Sequence, residues 1–286
     1  MLRMTLAAAA LGAGAAMAQP APEGMRATVN GMQIYYEVSG QGDPMIVLHG
    51  SFMTIPGMGD IVERLARTHR VYALELQGHG RSTDTDRAMT YHNLAGDVAT
   101  FMEVAGIPRA DVFGYSMGAV VGLRLAIDHP DKVDQLVFAS GAYEFDGWQP
   151  AYREMLPDFT VEMFADSPMA EAYREIAPDP AGFAALSEKL IALEKAPFAW
   201  GREVEAMRVP VLIVAGDADV ATLEHSVAMF RLLGGGAMGD LGKPLSASRL
   251  AVLPATSHTA VIGQADLMME FIAPFLAGET PPGWFD

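Results

Sequence analysis

A serine flanked two residues away on each side by glycine, Gly114-Tyr115-Ser116-Met117-Gly118, is the part of this chain best suited to covalent chemistry. A serine hydroxyl is presented for attack when a sharp strand-to-helix turn pushes it clear of its surroundings, and flanking glycines let strand and helix approach closely. The pentapeptide is short enough to recur by chance, so its setting has to carry the argument. Asp111-Val112-Phe113 reads as the end of a short buried strand. Met117 to His129 has the apolar density of a helix that stops at His129-Pro130. Gly122 continues the small-residue spacing, which reads as packing of that helix on a sheet.

Near neutral pH a serine hydroxyl is a poor nucleophile and needs a base within hydrogen-bond reach, oriented in turn by an acid. Two downstream segments can supply them. Pro210 to Gly216 reads as a strand ending in Asp217-Ala218-Asp219, and Leu250 to Leu253 as a strand running into Pro254-Ala255-Thr256-Ser257-His258. The carboxyl ends of parallel strands share one sheet edge, where ligands bind, so both loops fall beside Ser116. The remaining histidines carry plainer expectations. His49 and His79 sit in structural turns, and His69, His92, His129 and His225 at the surface or at helix ends. Gly234 to Gly239 fits the dinucleotide pattern G-x-G-x-x-G but follows a helix, not a strand, and reads as a loop. Without H-E-x-x-H or paired histidine spacing, no catalytic metal and no cofactor is expected.

The elements that must position these groups follow from periodicity. Met25 to Asn30 and Met32 to Val38 alternate like a hairpin turning at Gly31. Met45 to Leu48, Val71 to Leu74, Leu136 to Phe138 and Val211 to Val214 are continuous apolar runs of strands buried on both faces. Helical patterns separate them near Gly59 to Thr68, Asn93 to Ala105, Met117 to Asp128, Leu223 to Leu233 and Ala265 to Leu276. This alternation predicts an α/β fold with a mostly parallel eight-stranded sheet and helices on both faces. It breaks over 143–207, read as an inserted helical cap between two parts of the core, 19–142 and 208–286. That segment holds 10 of the 24 aromatic residues, which suits an apolar pocket roof.

With 286 residues, 51% of them hydrophobic, one large domain with an insertion can fill its core. Residues 1–18 read as a signal peptide, with Arg3, an apolar stretch from Leu6 to Ala16 and a cleavage site at Ala16-Met17-Ala18. The stretch is too short to span a bilayer, so an exported protein, periplasmic or secreted, is expected. Zero cysteines exclude thiol catalysis and thiolate metal sites. A net charge of −16 disfavours nucleic acid and anionic membranes as partners. No oligomeric state can be read from the sequence.

Taken with His49-Gly50-Ser51-Phe52, Gly78-His79-Gly80-Arg81-Ser82 and Gly216-Asp217-Ala218-Asp219, these motifs make the chain resemble the α/β-hydrolase superfamily. The resemblance implies Ser116 as nucleophile, His258 as general base and then general acid, and Asp219 as the orienting acid. Asp219 is preferred to Asp217 by family spacing, and a minority of relatives would use the preceding strand, where Glu144 and Asp146 lie. The backbone N–H groups of Ser51 and Met117 are implied for the oxyanion hole. Phe52 and Trp148 are expected to touch substrate, and Arg81 to tie its loop. The expected activity is that of a carboxylesterase acting on small to medium uncharged esters. The alternatives are a carbon-carbon bond hydrolase or cofactor-free perhydrolase or haloperoxidase with the same triad, and a ligand-binding protein with vestigial activity. Aspartate-elbow chemistry on epoxides or halides is disfavoured by Ser116.

Overall fold

The computed structural model describes residues 23–239 and 245–280. The expected signal peptide, 1–18, and the tail from residue 281 on lie outside the described residues. The chain opens with β1 (Glu23–Val29) and β2 (Met32–Ser39), paired antiparallel. Asn30 and Gly31, both at positive φ (46° and 86°), make the tight turn that such a hairpin demands. β3 (Asp43–Leu48), the short α1 (Ile61–Leu65) and β4 (His69–Leu74) follow, then α2 (Tyr91–Val104), whose first turn is capped by the Thr90 hydroxyl. Next come β5 (Ala110–Tyr115), α3 (Met117–Asp128) and β6 (Val133–Ala139).

Between β6 and the next strand lie α4 (Pro150–Met155), α5 (Val161–Ala165), α6 (Pro168–Ile176), α7 (Phe183–Lys195) and α8 (Gly201–Ala206). The sheet resumes with β7 (Val211–Ala218), α9 (Leu223–Leu232) and β8 (Arg249–Ser257). It closes with α10 (His258–Val261) and α11 (Ala265–Leu276).

The eight strands run in the order β1-β2-β4-β3-β5-β6-β7-β8. β1 with β2 and β2 with β4 are antiparallel, and every other pair is parallel, as the alternation of apolar runs and helices predicts. β5 is buried along its whole length, and α3 buries ten of its twelve residues against the sheet. One core cluster on each face results. The carboxyl ends of β5, β6, β7 and β8 therefore meet at one edge.

Two boundaries depart from expectation. The helix expected over Gly59 to Thr68 shrinks to the five residues of α1, because Gly59 takes φ 56° and the chain turns again after Leu65. β7 and β8 run past their apolar cores to Ala218 and Ser257, where their backbones still pair across a register shift.

Candidate active site

Ser116 occupies the turn between β5 and α3 with φ 55° and ψ −121°, a conformation that L-residues rarely hold. Its amide donates to the Ala139 carbonyl at 2.9 Å, which ties the turn to the end of β6. The glycines make this geometry possible. A Cβ on Gly114 would lie 2.6 Å from the Cα of Ala119, and one on Gly118 would lie 2.6 Å from the His49 carbonyl oxygen. Both obstacles are backbone, which cannot rotate away.

His258 opens α10 directly after β8. Its Nε2 stands 3.0 Å from Ser116 Oγ and its Nδ1 2.7 Å from Asp219 Oδ1, while the imidazole remains 21% exposed and the Asp219 side chain is fully enclosed. The Asp219 carboxylate also accepts from the Ser140 hydroxyl at 2.6 Å, the Gly216 amide at 3.2 Å and the Val220 amide at 2.7 Å. Burial by itself pushes its pKa up. The His258 contact, with help from Ser140 and Gly216, more than offsets this and holds the carboxyl below the ordinary aspartate value.

Asp217 has a different task. Its two oxygens accept from the Ala255 and Thr256 amides at 2.7 and 2.9 Å, pinning the chain just ahead of His258. Those two amides also hold its pKa down. Asp146 pairs with Arg153, and Glu144 lies 3.9 Å from His225, so neither acid after β6 is the carboxylate at His258. Arg81 grips buried Glu75 at 2.6 Å and lies over the Tyr35 ring, which is the loop-tying contact expected of it.

A cavity of about 60 Å³ opens over Ser116 and His258, with Met117, Trp148, Tyr152 and Glu194 among its walls. Trp148 thus borders the cavity. Phe52 does not: it stacks on Phe164 at 4.7 Å and packs against Phe183, closing the inserted helices onto the loop after β3. Ser51 reaches toward the cavity through its side chain, which donates to Glu194 Oε1 at 2.7 Å.

His225 lies in the first turn of α9, the helix-end alternative expected of it, but not at the surface. It is buried beneath Tyr143, with ring centroids 4.0 Å apart, and its Nε2 accepts from the Tyr143 amide. Three contributors escaped sequence reasoning, and a fourth, Tyr152, is expected only as one of the aromatic residues of the inserted segment. Ser140 and Tyr115 act from strand ends, Tyr115 by donating to the His258 carbonyl at 2.8 Å and stacking on its ring. Glu194 and Tyr152 come from the inserted helices. A polar residue directly after a buried strand could have flagged Ser140. A glutamate in a helix reads as solvated surface, so Glu194 left no signal.

A family model described as the α/β hydrolase fold matches residues 43–172. That match and the strand order together show the α/β-hydrolase fold. Among curated relatives, a dihydrolipoyllysine-residue acetyltransferase component of an acetoin cleaving system from Cupriavidus necator is 31% identical over 63% of this chain and 51% of its own length. A pimeloyl-[acyl-carrier protein] methyl ester esterase from Aliivibrio salmonicida is 26% identical over 46% of this chain and 50% of its own. The chain thus spans about half the length of these relatives. Among solved structures, an enol-lactonase from Burkholderia xenovorans superposes with a TM-score of 0.66 at 22% identity, covering 88% of this chain and all of that one. At that identity the likeness concerns the fold.

Proposed function

We propose that the chain is an exported serine hydrolase that cleaves short carboxylic esters through an acyl-enzyme. The observation that carries the reading is the continuous hydrogen-bond path from Ser116 Oγ through His258 to Asp219, opening on a small cavity. In this reading Ser116 Oγ attacks the ester carbonyl carbon while its proton passes to His258 Nε2. Asp219 fixes the imidazole tautomer and stabilises the imidazolium. The backbone N–H groups of Met117 and Ser51 are assigned to the developing oxyanion, where fixed donors need no reorganisation.

Collapse of the tetrahedral intermediate breaks the bond to the alcohol oxygen, which takes the proton from Nε2. A water molecule, deprotonated by the same nitrogen, then attacks the acyl carbon and regenerates the serine with release of the acid. Residues 143–207 serve as the cap that roofs the cavity. A cavity of about 150 Å³ holds benzene, so about 60 Å³ suits an acyl portion of roughly three non-hydrogen atoms. Export rests on the charged, apolar and small-residue order of residues 1–18.

The test is labelling by a fluorophosphonate together with hydrolysis of p-nitrophenyl acetate. Ser116→Ala is expected to abolish labelling and to lower kcat by about 10⁴-fold or more. Turnover at the wild-type rate in that variant would refute the assignment.

A further inference from the structure

The acid in the cavity wall has no task in the reaction above. Glu194 is the penultimate residue of α7, and it accepts hydrogen bonds from Ser51 Oγ at 2.7 Å and from Tyr152 Oη at 3.3 Å. A carboxylate offers about four acceptor positions, so these two neutral hydroxyls leave it half filled, and no cationic side chain is in ion-pair contact with it among the described residues. The lysines of its own helix are occupied elsewhere: Lys189 binds Asp84, and Lys195 binds the carbonyls of Pro157 and Phe159.

Further observations give the missing partner a charge. The carboxyl end of α7 adds partial negative charge beside Glu194, which favours a cation there. Burial holds the Glu194 carboxyl above its ordinary value, against the pull of Ser51, Tyr152 and His258, so an arriving cation would relieve a standing cost. Tyr91, Trp148 and Tyr152 are among the residues lining the cavity, and aromatic rings attract cations to their faces. The Tyr91 hydroxyl makes no hydrogen bond among the described residues and is free to accept one. Around this, residues 143–207 carry 13 acidic and 5 basic side chains, a field that draws cations and repels anions.

We infer that Glu194 and the rings of Tyr91, Trp148 and Tyr152 form a subsite for a protonated amine, so that the substrates are short esters whose acyl portion carries an ammonium group next to the carbonyl. An α-aminoacyl ester of a small amino acid has this chemistry and fits the cavity. The acyl portion expected to be uncharged from sequence is in this inference a cation. Turnover of such an ester rests on the hydrolase reading. Binding of the amine does not.

The experiment compares glycine methyl ester with methyl propionate, equal in heavy atoms and differing by an ammonium in place of a methyl, and with methyl glycolate as the neutral donor. Rates are taken at pH 6.5, below the usual α-amino pKa of about 7.7. The quantity read is the ratio of kcat/KM for the glycine ester to that for the propionate within one enzyme, which cancels partial misfolding; its change from wild type to variant cancels intrinsic ester reactivity. Glu194→Gln is expected to lower this ratio at least about 10-fold, as for loss of a charged hydrogen bond, and to lower the glycolate ratio much less. An unchanged ratio, or equal falls for glycolate and glycine, would overturn the inference. In parallel, calorimetric titration of Ser116→Ala with glycine methyl ester is expected to give binding that disappears in the Ser116→Ala, Glu194→Gln double variant. If no ester is turned over yet this binding is found, the subsite stands and the hydrolase reading falls. Absence of binding together with an unchanged ratio rejects the subsite while leaving ester hydrolysis intact.

Discussion

Substituting Gly118 by alanine tests whether the close approach of α3 to the end of β3 sets the reactive geometry. The added methyl would fall 2.6 Å from the His49 carbonyl oxygen and nearer still to that of Leu48, whereas ordinary contact begins at 3.4 Å. Clearing the Leu48 carbonyl oxygen, 2.3 Å from the added carbon, requires the helix and this backbone to separate by about 1.1 Å. Gly118 lies two residues past Ser116, and His49 two residues before Ser51. The separation thus falls between Ser116, the proposed nucleophile, with its Met117 amide, and the other donor proposed for the oxyanion. A misplacement of about 1 Å costs roughly 10²-fold in rate, and overpacking of this kind about 1–3 kcal/mol in stability. For a chain of this size that stability loss lowers Tm by roughly 2 to 12 °C.

Steady-state hydrolysis of p-nitrophenyl acetate and thermal unfolding would read both effects. The control is Gly96→Ala in α2, where an added Cβ meets nothing within 4 Å. It should gain about 0.5–1 kcal/mol and keep its turnover. Gly118→Ala with kcat within threefold of wild type and an unchanged Tm would refute the reasoning. So would an equal loss in the Gly96 variant, which would make the effect general.

The two aspartates after β7 should separate by role. Asp219→Asn is expected to lower kcat by about 10³–10⁴-fold, since the amide can no longer hold the imidazole tautomer. Asp217→Asn, which loosens the Ala255 and Thr256 amides, should lower Tm with at most a tenfold change in kcat. His225 should govern part of the acid stability. Burial pushes its pKa from 6.5 down to about 4, so the folded state binds fewer protons than the unfolded chain between those values. Its contribution is complete above pH 6.5 and is lost as pH falls toward 4. Urea unfolding at pH 7 and pH 4.5 should show His225→Gln losing about 2–3 kcal/mol less than wild type over this interval. Parallel losses in the two proteins would reject this account.

The strands and the order of the sheet's chemistry were legible because buried parallel strands need unbroken apolar runs and their ends carry the polar loops. Ser116, Asp219 and His258 each lie in the turn that follows such a run. The division of labour between Asp217 and Asp219 was less legible. Both follow Gly216, and what separates them is the continuation of β7 and β8 past their apolar residues, which hands the Asp217 oxygens to backbone amides. His225 and Phe52 were misjudged because their surroundings come from distant segments: Tyr143 covers the first, and Phe164 with Phe183 the second. Side chains of the inserted helices were least legible. Short helices crossing at irregular angles impose no period on which face is inward, so Glu194 looks no different from the exposed acids around it.

The arrangement also accounts for where the fold places its strain. Ser116 at the end of β5 and Ser140 just past the end of neighbouring β6 both take positive φ, 55° and 56°, without being glycine. Each such residue costs about 1–3 kcal/mol and persists only where its surroundings over-determine it. Those surroundings are the ten buried residues of α3 behind Ser116, and for Ser140 an amide bond to the Val214 carbonyl at 2.8 Å. The result at both positions is a hydroxyl turned toward the same imidazole pair, Ser116 on His258 and Ser140 on the acid behind it. With the carboxylate of Asp219 held by Ser140 and two backbone amides besides His258, the imidazole proposed as the base is already aligned on Ser116. In the proposed reaction, substrate binding energy is then free to act on the acyl group.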